Sequence, residues 1–180
     1  MNIKINKPSL TNHSGFTLIE LVVVIVILGI LSITALPKFI NIQSDANAVV
    51  IKAAIGSMKS AVSLFKVKTI VSGVTFETDV EFSGIKGSRY QPWAATATAT
   101  GFSTDYSSPP EIFEGAGLNI NDWAYRIYIL GDTHAVAATL KSVLNKDEPT
   151  VIEIQATNCY FNYHWLSSGE PTFTTIITGC

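Results

Sequence analysis

Few residues in this chain have types and spacing that could do chemistry. The most unusual is Glu20, the one ionisable group in the 21 residues from Phe16 to Leu36. An acidic side chain costs about 2.5 to 3.5 kcal/mol at mid-membrane and less near the interface. A carboxylate four residues into such a run has two uses. It can snorkel to the headgroups, or it can meet a positive partner inside lipid. The residues alone leave both open. Cys159 and Cys180 are the only cysteines, 21 positions apart. They do not form a Cys-x-x-Cys redox or zinc pair, and His13, His134 and His164 are scattered. Glu77, Asp79 and Glu81 share a face at spacing two and could hold a cation, but a solvated strand face is the plainer reading. Asn119, Asn121 and Asp122 have the spacing of calcium ligands, although such loops are more often turn chemistry. No nucleophile elbow, P-loop or His-Glu-x-x-His occurs. We expect no catalytic constellation, no metal and no cofactor.

The element that must position Glu20 is the apolar run itself. At about 1.5 Å per helical residue it reaches roughly 31 Å, enough to cross a bilayer's hydrocarbon core. The segment before it contains Lys4 and Lys7 and no acid, like the n-region of a secretory signal. Ordinary signal cleavage follows the apolar run, whereas the distinctive residue here, Gly15, precedes it. Within the run, Gly29 costs about 1 kcal/mol relative to Ala in a helix. Pro37 lacks an amide proton and clashes one turn back. The stretch between them is the part most easily unwound, or else a harmless kink.

Apolar residues are 47% of the chain and charged ones 14%, with the excess concentrated in residues 16–40. The formal net charge is −2, and without residues 1–15 it becomes −4, with 10 basic against 14 acidic residues. This balance gives no bulk footprint for nucleic acid. Two cysteines behind a membrane segment suggest a disulfide in an oxidising compartment, which places the C-terminal part outside the cytoplasm. Two buried free thiols are the other reading. Lysines flank the run on both sides, so charge alone does not set the topology.

Beyond Lys38 the helical period continues to Thr69. Phe39, Ile42, Ala46, Val49 and Ala53 form one apolar stripe, and Val50, Ala54, Met58, Ala61 and Phe65 a second. Asp45, Lys52, Lys59 and Lys66 fall largely off them. The spacing predicts one long helix ended by Gly73, with its C-terminal half lying on a globular domain. Strands are expected over 74–82, 122–130, 150–165 and 172–178, while 135–144 reads as either strand or short helix, with strand favoured through Leu140. Residues 86–122 form an irregular segment pinned by Trp93, Phe102 and Tyr106. Turns fall at Gly131-Asp132, 145–149 and 167–171. The whole predicts an α+β fold, a long N-terminal helix packed on an antiparallel sheet of about four to six strands. A Cys159–Cys180 bond would staple its C-terminal region, worth about 3 kcal/mol in the chain-entropy model.

Gly15-Phe16-Thr17-Leu18-Ile19-Glu20 resembles the cleavage and methylation motif of type IV prepilins. The likeness extends over residues 14–38 and includes Pro37, where that family carries a helix-kinking proline. Pro92-Trp93-Ala94-Ala95-Thr96-Ala97-Thr98-Ala99-Thr100-Gly101 and the closing Cys159…Cys180 pair resemble pilins of the mannose-sensitive haemagglutinin (MSHA) type. The resemblance implies a leader at residues 1–15, a transmembrane and fibre-core helix at 16–37, and an extracytoplasmic globular pilin domain at 38–180. It implies cleavage between Gly15 and Phe16 and methylation of the new Phe16 amine by one membrane enzyme, a prepilin peptidase and N-methyltransferase. It further implies pairing of Glu20 with the Phe16 amine of a neighbouring copy, and melting between Gly29 and Pro37 as the fibre packs. Implied partners are other copies in a helical homopolymer, the inner-membrane assembly machinery, the membrane before assembly, and surface glycans. The chain would start as a single-pass inner-membrane protein with a cytoplasmic N-terminus and end in an extracellular pilus used for attachment.

A type II secretion pseudopilin shares the N-terminal motif, as does a minor pilin. A calcium titration followed by melting temperature would separate the first from a pilin. A membrane-tethered carbohydrate-binding domain is the alternative of another class, but it leaves Glu20 and the position of Gly15 unexplained.

Overall fold

The computed structural model describes residues 16–98, 101–103, 108–131 and 133–180, with backbone alone at 35–41, 97, 98 and 101–103. The expected leader, including Gly15, lies outside the described residues. The chain divides into two compact units, residues 1–41 and 42–180.

Helix α1 runs from Leu18 to Val71. Its start is encoded by Thr17 and Glu20, three positions apart, which satisfy each other's first-turn backbone. Its end is encoded by Gly73, which takes a left-handed φ of 67°. The amide of Gly73 donates to Ile70 and that of Val74 to Thr69, closing a Schellman motif. The helix is continuous past both Gly29 and Pro37.

In the first unit the large apolar side chains from Phe16 to Ile33 are all at least 40% exposed. In the second unit α1 buries Ile51, Ala54, Ile55, Met58, Ala61, Val62, Phe65 and Thr69. Of the two expected apolar stripes, the one through Ala54, Met58, Ala61 and Phe65 is the core stripe. The one through Ile42, Ala46, Val49 and Ala53 stays exposed, as does Val50.

Phe65 of that stripe meets Phe82 edge-on, while Ala54, Met58 and Ala61 share one core cluster with a four-stranded antiparallel sheet ordered β6-β7-β8-β9. Its strands are β6 (Trp123–Leu130), β7 (Thr133–Leu140), β8 (Tyr160–His164) and β9 (Thr172–Ile176). The pairings Tyr125↔Ala138↔Phe161 and Ile127↔Val136↔Tyr163 set the inner face. Phe113, Trp123, Tyr125 and Phe161 meet there in tilted and edge-on ring contacts.

Residues 80–122, which take in the segment read as irregular, have short elements of their own. β1 (Val80–Phe82), β2 (Ile85–Ser88) and β3 (Gln91–Pro92) form a small sheet, β4 (Thr96–Thr98) and β5 (Gly101–Ser103) a hairpin, and α2 spans Glu111–Ala116. A 3-10 turn at Ile120–Asp122 leads into β6. Trp93 is buried, and its indole N–H donates to Ser88 Oγ at 2.9 Å. The Phe102 side chain and Tyr106 lie outside what is described.

Two expected strands are shorter than the pattern suggested. Of residues 74–82 only Val80–Phe82 pairs, because Thr75 and Thr78 close a turn before it. The stretch 150–165 is not one strand but helix α3 (Val151–Ala156) followed by β8. Its β-branched residues favour a strand, but Thr150 and Glu153 form a capping box and Pro149 precedes them. Asp132, read as part of a turn, is outside the described residues. Gly131 beside it has a φ of 64°.

Candidate functional site

The residues around the expected cleavage point form a local arrangement of their own. Both the backbone N–H of Thr17, at 2.9 Å, and its hydroxyl, at 2.8 Å, donate to Oε2 of Glu20. The Glu20 amide donates back to Thr17 Oγ1 at 3.3 Å. Phe16 stands just outside this first turn and is 84% exposed. Phe16, Ile19, Glu20, Val23 and Val24 border an open groove of about 390 Å³. The arrangement places one negative charge beside residue 16 at the start of the exposed apolar first part of the helix. Thr17 was missed in reading the sequence, although the Thr-x-x-Glu spacing is a capping-box signature.

A Cβ at Gly29 would meet nothing within 4 Å, so the glycine answers to no packing demand within the described chain. Ser32 donates to the Leu28 carbonyl at 2.7 Å and Thr34 to that of Leu31 at 3.0 Å, which hides their hydroxyls on the helix. Pro37 lies where α1 is described by backbone alone. Residues Ile42–Val71 pass a length and hydropathy test for a membrane span, yet 39% of that apolar window is buried in the protein. The exposed residues 16–34 carry no such burial.

In the second unit α1 presents an exposed line at alternating steps of four and three. It comprises Ile42, Ala46, Val49, Ala53, Gly56, Ser60, Ser63, Val67 and Ile70. Its middle is built of small side chains, and a Cβ on Gly56 would meet nothing within 4 Å.

At the other end of the chain Cys159 and Cys180 are joined by a disulfide. The Thr139 hydroxyl donates to the Cys159 carbonyl at 2.5 Å, and the Cys159 amide donates to Thr157 Oγ1 at 3.1 Å. A Cβ on Gly179 would lie 2.2 Å from the Thr157 carbonyl oxygen, so only glycine fits beside the bond.

The other candidate groups resolve into ordinary structural roles. Glu77 pairs with Arg89 at 2.8 Å, and Glu81 is 3.9 Å from Lys86. Asn119 Oδ1 accepts from the Asn121 amide, which is turn chemistry. His164 Nε2 lies 2.6 Å from Thr133 Oγ1. The Thr133 hydroxyl donates to the Leu130 carbonyl, so the imidazole N–H is the donor to Thr133. Burial lowers the pKa of both His134 and His164 from 6.5. Among the described residues no group of three or more His, Cys, Asp or Glu side chains could hold a metal ion.

Residues 10–36 match the family model of the prokaryotic N-terminal methylation motif. The chain carries that motif. It spans Gly15, Phe16, Glu20 and Gly29. A 54-residue stretch is 43% identical to the type IV narrow pilus major component PilA5 of Thermus thermophilus, covering 30% of this chain and 47% of that protein. The chain therefore matches about half the length of its curated relative. No solved structure matched. Beyond the methylation motif, the long apolar helix, the antiparallel sheet and the Cys159–Cys180 disulfide fit the type IV pilin fold.

Proposed function

We propose that this protein is a type IV pilin, made as a membrane-anchored precursor and polymerised into a surface fibre. Cleavage falls between Gly15 and Phe16, and the same membrane enzyme methylates the Phe16 amine. The observation that carries this reading is Glu20. It is the lone charge in the apolar run from Phe16 to Leu36, held in the first turn beside residue 16, inside a matched methylation motif.

A parallel stack of such helices lets the Glu20 carboxylate of one copy meet the Phe16 amine of the next. Each charge is costly alone in a lipid or protein interior, and pairing relieves both. The apolar flanks then exchange lipid for protein as the copies leave the membrane. Gly29 and Pro37 leave the intervening stretch able to unwind in that step. The partners are other copies of the chain, the prepilin peptidase and the inner-membrane assembly machinery.

The finer assignment is an MSHA-type pilin acting in attachment to surfaces or glycans. The Pro92–Gly101 segment and the disulfide-closed tail support it.

Intact mass of protein sheared from the cell surface, without reducing agent, tests the reading. A chain starting at Phe16 with one added methyl group and two hydrogens fewer is expected. A chain starting at Met1 and found only in membranes would overturn it.

A further inference from the structure

Asp45, Lys52, Lys59 and Lys66 recur every seven residues on α1. A seven-residue step returns to within about 20° of the same direction on a straight helix, so the four lie along one gently drifting line. The upper half of this line is used within the chain. Lys59 sits 5.6 Å from the Phe173 ring centroid, and Lys66 is paired with Glu170.

The lower half is unused. Asp45 and Lys52 are exposed, and neither has an ion pair or hydrogen bond among the described residues. Asp45 lies beside an open apolar face formed by Ile42, Ala46, Val49 and Val50, all of them exposed. The helix thus presents an unpartnered apolar strip edged by one free negative charge and, one heptad on, one free positive charge.

We propose that this strip docks a second copy of the chain. The two helices run parallel and are staggered by seven residues, so that Asp45 of one copy pairs with Lys52 of the next. The stagger is about 10.5 Å at 1.5 Å per residue. Each copy keeps one charge free for a further neighbour, so the contact is heterologous and does not close on itself. Parallel orientation follows from anchoring every copy through the same N-terminal helix. The inference therefore rests on the fibre reading and assigns it a specific pair of residues.

Charge reversal tests it in cells carrying the full-length chain. Asp45→Lys and Lys52→Asp each set like charges against one another at every subunit contact. Each single variant should cut sheared fibre about tenfold or more, since facing like charges across an interface are strongly unfavourable. The double reversal restores opposite charges and should return fibre to within a few-fold of the parent. Single variants that polymerise like the parent would overturn the pairing while leaving the fibre reading intact. So would a double variant no better than the singles. A parent chain that gives no processed protein in the sheared fraction would overturn the fibre reading and the pairing together.

Asp45→Cys with Lys52→Cys supplies an independent readout. The two positions are about 10.5 Å apart along one helix, beyond the Cα separation a disulfide spans. Oxidised fibres should therefore run as a ladder of cross-linked multimers on a non-reducing gel, and either single cysteine should give none. Dimers alone would indicate an antiparallel closed pair and overturn the staggered arrangement, and monomers alone would overturn the contact.

Discussion

The side-chain amide of Gln91 donates to the backbone carbonyl of Gly169 at 2.8 Å, across 78 positions of sequence. Gln91 is 2% exposed, and its Oε1 also accepts from the Leu166 amide at 3.4 Å. Arg89 donates to the Ser167 carbonyl at 2.5 Å, and Lys66 pairs with Glu170. The turn between β8 and β9 is thus tied to β3 and to α1 through polar groups. Gln91→Ala should lower stability by about 1 to 2 kcal/mol, because it removes both hydrogen bonds that this buried side chain makes to the turn. Gln91→Glu keeps the acceptor but buries a charge and should be no better. Thermal melting of the domain from residue 42 onward checks both.

Glu20 caps the helix, and substitution can separate that cap from the assembly role proposed for it. As a cap it needs only a hydrogen-bond acceptor, and as an assembly residue it needs a negative charge. Glu20→Gln keeps an acceptor for Thr17 and loses the charge. If the charge pairs with a neighbour's Phe16 amine, Glu20→Gln and Glu20→Ala should both abolish sheared fibre while the membrane pool still forms the Cys159–Cys180 bond. Fibres from Glu20→Gln at parental yield would reduce Glu20 to a helix cap.

Two glycines should respond to alanine in opposite directions. Gly56→Ala places a Cβ where nothing lies within 4 Å, in a helix interior. It should stabilise the isolated domain by about 1 kcal/mol. Gly179→Ala drives a Cβ into the Thr157 carbonyl and should destabilise it by about 1 to 3 kcal/mol. Denaturant titrations of the two variants beside the parent give both signs. Replacing Cys159 and Cys180 by serine should cost about 3 kcal/mol.

Acid should weaken the domain in two windows. Burial lowers His134 and His164 below 6.5, so the unfolded chain takes up protons first and stability falls as pH drops through 6.5. Glu153 is lowered from 4.5 to about 2, chiefly by its hydrogen bond with Lys146 and then by Thr150. Its contribution is whole above 4.5 and disappears as pH falls from there toward 2. Melting temperature against pH should show both slopes, and Glu153→Gln should flatten the lower one.

Much of this fold was legible because its signals are periodic or local. Core residues at steps of three and four marked α1, and Gly73 marked its end. The run from Trp123 to Leu130 marked one central strand, and of the two readings open for 135–144 the strand is the one found, from Thr133 to Leu140. What misled was a short helix written in strand-forming residues. Val151, Ile152 and Ile154 favour extended backbone, and only the Thr150–Glu153 cap tips the balance. Which of the two apolar stripes on α1 faces the sheet was not legible either, since both have helical spacing and apolar side chains. The partner surface decides it, and most of that surface comes from the strands that start at Trp123, far along the sequence. At the N-terminus the sequence supplied Gly15, Phe16 and Glu20 through their unusual order, while the role of Thr17 emerged only from its bonds.

The interleaving of buried and exposed positions along α1 has a genetic consequence. Positions 51, 54, 58, 61, 65 and 69 are buried against the domain, and 42, 46, 49, 53, 56 and 60 are exposed. Saturating substitution across residues 42–70 should give two classes of defect that alternate with the turn of the helix. On the proposed fibre reading, inward changes should deplete the folded protein in the membrane, whereas outward ones should leave it abundant but stranded there. A single stretch of chain then answers to two selective pressures at once, and neither has to yield to the other.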